Sequence, residues 1–152
     1  MDKVRVNLEI CGEIAKDRIV NGQIVSDDLV LFINGYSRCC GYFLSKEDIA
    51  FNFDKIKLIP KEEKELVDLS AIDPQNEIKP TRELKLLDNE KDMARKFVGA
   101  DGKEIWLNKK YLRNITPTKC KFYVDYRKYR HGMVFVVENG TVVMCVMPVC
   151  IY

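Results

Sequence analysis

Met133-Val134-Phe135-Val136-Val137-Glu138-Asn139-Gly140-Thr141-Val142-Val143-Met144-Cys145-Val146-Met147 is the stretch that decides the fold class. Two apolar, β-branched runs flank Asn139-Gly140. That dipeptide is the strongest short hairpin signal, because both central positions of the tight turn need positive φ. Pro148 closes the second run, since proline cannot donate to a ladder. The same pair occurs twice earlier. Asn21-Gly22, between Ile19-Val20 and Gln23-Ile24-Val25, predicts one hairpin, and Asn34-Gly35, after the apolar run Leu29 to Ile33, predicts a turn toward Tyr36 to Leu44. An antiparallel, hairpin-rich sheet follows from these three signals.

Outward from there, Val4-Arg5-Val6-Asn7-Leu8-Glu9-Ile10 alternates apolar and polar residues, which predicts a half-buried strand. Ser45 and Asp48 could cap a short helix, but Ile49, Phe51 and Phe53 alternate, as do Ile56 and Leu58 before Pro60, and this period favours strand. Residues 1–60 thus read as a β-rich half. Residues 61–92 hold six Lys/Arg against ten Asp/Glu, with Pro74 and Pro80 inside, and read as a solvated acidic connector, 73–82 being loop or tether.

In residues 93–152, Arg95 to Val98 and Glu104 to Leu107 flank Ala100-Asp101-Gly102 and predict another hairpin. Asn108 is a preferred N-cap for one short helix near 108–115, which Pro117 stops. Lys119 to Tyr126 predicts a strand with Cys120, Phe122 and Val124 on one face. The expected fold is α+β, a single domain over 1–152 made of a β-rich half, an acidic connector and a C-terminal αβ half.

Composition bounds the function. The 152 residues are 47% hydrophobic and 32% charged, with 5 Pro and 8 Gly, which excludes disorder and low complexity. Net charge is +2, so whole-molecule charge names no partner. The absence of an apolar run near the ~18 residues of a membrane span, and a start unlike a signal peptide, predict a cytoplasmic protein with no membrane partner. The six cysteines lack a C-x-x-C spacing and read as reduced thiols, several of them in the core, with no metal site. Neither a P-loop nor a G-x-G-x-x-G string is present, so no cofactor is expected.

Charge concentrates in residues 103–131, where nine Lys/Arg meet only Glu104 and Asp125. Tyr123, Tyr126 and Tyr129 interleave the end of this run. Cations supply contacts to an acidic backbone and aromatic faces supply stacking or hot-spot area, so the strip suits a protein interface or single-stranded nucleic acid; the alternative is a solvated hairpin whose long side chains shelter apolar edges. The candidate residues are Lys109, Lys110, Arg113, Lys119, Lys121, Tyr123, Tyr126, Arg127, Lys128, Tyr129 and Arg130. The exposed aromatics and cations expected at the interface are Tyr123, Tyr126, Arg127, Tyr129 and Arg130. No catalytic residue is marked: the single histidine, His131, is the one candidate base for a Cys–His thiol enzyme, and no cysteine is its privileged partner.

Ile105-Trp106-Leu107-Asn108-Lys109-Lys110-Tyr111-Leu112, followed by Met133 to Gly140 and by Val146-Met147-Pro148-Val149, resembles the end of the third domain of the bacterial DNA-polymerase sliding clamp. The likeness covers roughly a third of the chain. It implies that Met147, Pro148 and Val149 border a groove for client peptides, and that Lys109, Lys110 and Arg113 lie on a helix facing DNA. The first 92 residues depart from the clamp pattern, and no second or third clamp domain is present. The same C-terminal grammar is similar to that of small uncharacterised phage and prophage proteins. The expected function is non-catalytic binding: an accessory or inhibitory factor that docks on a larger protein, nucleic-acid machinery included. Direct nucleic-acid binding by the strip 119–131 is the alternative.

Overall fold

The computed structural model describes residues 1–18, 20–34, 39–52, 56–59 and 67–151. The chain divides into two compact units, Met1–Asp68 and Leu69–Tyr152. Among the described residues no helix is long and apolar enough to cross a membrane.

The first unit carries α1 (Lys3–Ala15), β1 (Val20–Ile24), β2 (Leu29–Asn34), β3 (Cys40–Ser45), a 3-10 turn at Lys46–Asp48, and β4 (Lys57–Ile59). Its strands run in the order β4-β1-β2-β3; β1 pairs with β4 in parallel and the other pairs are antiparallel. Residues 4–10 are therefore helix, which corrects the strand expected there. Asp2 caps the helix, its carboxylate accepting from Arg5 N at 3.1 Å. Val6, Asn7 and Ile10 turn inward at helical spacing, while Val4 and Leu8 are left 71% and 66% exposed. Asn7 fixes the docking. Its amide donates to Lys3 O at 2.8 Å and to Asp48 O at 3.0 Å, and its Oδ1 accepts from Ala50 N at 2.8 Å.

Two further expectations change in this unit. Asn21-Gly22 makes no turn; both residues lie inside β1, opposite Ile33 and Phe32. The chain reverses instead at residues 25–28, where Val25 N donates to Leu29 O. Residues 49–52 are not strand either, because the chain leaves β3 through the 3-10 turn and Phe51 then packs edge-on against Phe32, ring centroids 5.0 Å apart. The turn expected at Asn34-Gly35 falls on 35–38, and Phe53 on 53–55, outside the described residues.

The second unit is a six-stranded antiparallel sheet: β5 (Glu77–Leu86), β6 (Met93–Gly99), β7 (Glu104–Asn108), β8 (Cys120–Asp125), β9 (Met133–Glu138) and β10 (Thr141–Val146), in the order β10-β9-β8-β5-β6-β7. Asn139 and Gly140 take φ of 51° and 75° and turn β9 into β10 as expected. β5 corrects the connector, since residues 77–86 are a ten-residue strand and not a tether. Pro80 is accommodated because the pairing with β6 shifts register between Pro80 and Leu84. The short helix is confined to a 3-10 turn, Lys109–Leu112, capped by Asn108 Oδ1 accepting from Lys110 N at 3.0 Å. Inside, Phe97 and Phe122 meet with centroids 4.8 Å apart, and Val134, Phe135 and Val136 are fully buried. The fold is thus α+β and built from hairpins.

Candidate functional site

Three segments of the second unit converge on one cleft. The first is β7, the last strand in its sheet order, which buries Ile105 and Leu107 and leaves Trp106 half-exposed on the alternate face. The second is the chain after β10: Pro148 ends the strand, and Val149 pairs with Trp106 in a single antiparallel bridge, its N–H donating to Trp106 O at 2.9 Å. The third is the connection from β8 to β9.

That connection is shaped by Asp125. Buried at the end of β8, its Oδ1 accepts from Arg127 N at 2.9 Å and Arg127 Nε at 3.0 Å, and its Oδ2 from the guanidinium at 3.2 Å. A further guanidinium nitrogen of Arg127 donates to Ser70 Oγ at 3.2 Å. Gly132 closes the turn at φ +85°, with its N–H donating to Tyr129 O; a Cβ there would stand 2.7 Å from Val124 Cγ2. Only glycine fits that approach.

The cleft so formed has a volume of about 560 Å³ and is lined by Lys103–Trp106, Tyr126, Arg130, His131 and Pro148–Ile151. Lys103 Nζ lies 4.8 Å from the centre of the Tyr126 ring. A second cleft of about 380 Å³ shares Lys103, Ile105 and Tyr126 with the first. Burial raises the Tyr126 phenol above its ordinary pKa, with Asp101 adding to the shift. Glu104 is the one carboxylate lining the larger cleft, and Lys96 takes it at 3.2 Å while also binding Glu83 at 2.6 Å. Among the described residues no ion pair holds Lys103 or Arg130, so the cleft's charge is cationic.

The structure brings together Tyr126 and Arg130 from the basic strip with Pro148 and Val149 from the C-terminal segment. It disperses the rest. Tyr123, expected to be exposed, is 9% exposed in β8 opposite Phe135, because β8 is an interior strand with both faces covered; this corrects the three-tyrosine strip. Arg127 is folded onto Asp125. Lys110 pairs with Asp92 at 3.2 Å and lies over Tyr111, and the Arg113 guanidinium donates to Lys110 O. Lys109, Lys119, Lys121 and Lys128 are exposed away from these pairs, while Tyr129 and Met147 are half-buried. Trp106 and Lys103 went unmarked in the sequence as site residues; their one signal was an indole and a cation beside a hairpin turn.

No disulfide joins the cysteines. Burial and the Glu138 carboxylate 3.8 Å away push the Cys120 thiol up to about 11, so it is no nucleophile at neutral pH. Among the described residues no three His, Cys, Asp or Glu side chains group to hold a metal ion. Comparison with protein-family models, with curated proteins and with solved structures finds no match to this chain.

Proposed function

We propose that the protein is a non-catalytic binding module, an accessory or inhibitory factor whose cleft around Trp106 takes a short acidic segment of a larger protein. The observation that supports this reading is the convergence of Trp106 and Tyr126 with Lys103 and Arg130, two cations against the one cleft carboxylate, Glu104, which shares Lys96 with Glu83. Aromatic and arginine side chains in a recess are what interface hot spots are made of. Direct nucleic-acid binding is less well supported, because Tyr123 is withdrawn into the core and Arg127 and Lys110 are paired with carboxylates.

The test is fluorescence anisotropy of the full chain with labelled aspartate-rich peptides and with single- and double-stranded oligonucleotides, over a salt series. Peptide binding that weakens about 30-fold in Trp106→Ala, the scale of a 2 kcal/mol hot spot, and also weakens in Arg130→Ala supports the cleft. Oligonucleotide binding that falls by roughly 0.7–0.9 log units per phosphate contact for each tenfold rise in salt, and that Lys119→Ala, Lys121→Ala and Lys128→Ala together abolish, replaces this reading with the nucleic-acid one.

A further inference from the structure

The edge of a sheet presents unpaired backbone donors and acceptors, and folded proteins cover it. In the second unit β7 is such an edge, with β6 as its ladder neighbour. Its backbone groups alternate in direction. Lys103 O accepts from Gly99 N at 3.0 Å on the β6 side, whereas Trp106 O accepts from Val149 N at 2.9 Å on the other. Odd positions therefore face β6, and the even positions Glu104 and Trp106 face outward. Among the described residues, the Trp106–Val149 bridge is the one pairing on that outer side. Residues 148–151 lie beside the edge as an incipient strand, and their antiparallel register places position 151 opposite 104.

We propose that the outer edge of β7 accepts a strand from the partner protein, an extended segment carrying carboxylates, and that residues 148–151 are the edge's own displaceable cover. The inference rests on the cleft being the binding site and specifies how the ligand is held. One backbone hydrogen bond is worth on the order of two- to tenfold in an equilibrium, so the single bond of the cover is a small barrier to a segment that pairs at both Glu104 and Trp106 and adds side-chain contacts. Main-chain bonds supply the affinity of such strand addition, and alternate side chains supply its selectivity. Here the selective groups are Lys103 and Arg130, which no acidic side chain neutralises among the described residues and which face the same cleft as the edge. A carboxylate at alternate positions of the incoming strand completes that charge. A basic strand does not.

The experiment uses the full chain and three fluorescein-labelled heptapeptides. One alternates valine and aspartate, one alternates valine and lysine, and the third is the aspartate peptide with alternate backbone nitrogens methylated. Strand addition predicts that the acidic peptide binds, the lysine peptide does not, and methylation weakens binding at least tenfold. Val149→Pro removes the N–H that donates to Trp106 O, so the acidic peptide binds about fivefold more tightly to this variant. Replacing 148–151 by Gly-Ser-Gly-Ser gives the same direction without a proline. The Val149 amide, the donor of that bond, exchanges faster once the acidic peptide displaces the cover. Equal binding of the methylated and unmethylated acidic peptides overturns strand addition while leaving the cleft reading intact. Unchanged affinity in both released variants overturns the cover. Absence of acidic-peptide binding to wild type and to both released variants overturns the cleft reading itself.

Discussion

The amide of Asn7 joins α1 to the backbone at Asp48 and Ala50, so it holds the helix against the segment that leaves β3. Replacing it with alanine removes the part-buried bonds to Asp48 O and Ala50 N, and Asn7→Ala is expected to cost about 1 kcal/mol, read as a lower urea midpoint with unchanged slope. Asp48 beside it is held below the usual carboxylate pKa, first by its hydrogen bond to Lys3 and then by Ser45. A carboxylate whose folded pKa is depressed stabilises above its unfolded value near 3.9, and that contribution fades as pH falls through the lower folded value. In Lys3→Met the Asp48 carboxyl titrates higher, which carbon-detected NMR reads directly. Among the thiols, Cys11 and Cys150 are exposed, Cys40 and Cys145 are buried, and Cys120 is shifted to about 11. Iodoacetamide at mildly alkaline pH is therefore expected to label Cys11 and Cys150 first, with mass spectrometry finding Cys40, Cys120 and Cys145 protected. Early labelling of Cys120 contradicts its placement against Glu138.

At the level of elements, the two positive-φ glycines of the last hairpins make a matched pair. A Cβ at Gly140 meets nothing within 4 Å, so Gly140→Ala costs only the left-handed backbone, about 1–2 kcal/mol. Gly132→Ala adds a 2.7 Å approach to Val124 and must move the turn that carries Arg130 and His131. It is expected to lose more stability than Gly140→Ala and, unlike it, to weaken peptide capture by the cleft. Equal losses in both properties contradict that role of the turn. The same contrast explains which elements were legible in the sequence. The β9–β10 hairpin is written locally, in turn chemistry that its own neighbours satisfy. Residues 4–10 are ambiguous, because an apolar residue at every second position also contains Val6 and Ile10 four apart, and the Asp2 cap and the Asn7 bonds resolve the ambiguity only in three dimensions. β5 hides because seven of its ten side chains are exposed and many are charged, so no buried-face alternation marks it; its strand character comes from pairing with the next strand, β6, and at Glu77 and Ile78 with the more distant β8. Asn21-Gly22 misleads for the opposite reason: a turn dipeptide fits inside a strand when its partners supply the pairing. Of the site, Tyr126 and Arg130 were legible as chemistry, while Pro148 and Val149 were marked only through the resemblance to the clamp domain. Their meeting with Trp106 and Lys103 is a product of topology.

For the whole molecule, each compact unit has its own buried apolar cluster: Val6, Leu31, Phe32 and Leu44 in the first, Phe97, Leu107, Phe122, Phe135 and Met144 in the second. Residues 69–152 expressed alone are expected to retain the antiparallel sheet, with slow amide exchange in β8 and β9, since a compact unit with a core of its own can fold alone. Uniformly fast exchange in that fragment refutes its autonomy. One consequence is optical. Trp106 is the only tryptophan of the chain and lies in the second unit at the mouth of the cleft. Selectively excited indole emission is therefore a gauge fitted at a single place: its wavelength registers water entering or leaving that recess, without any dye. The first unit is dark to it, so comparing indole emission with circular dichroism during unfolding separates the melting of the binding unit from that of the rest.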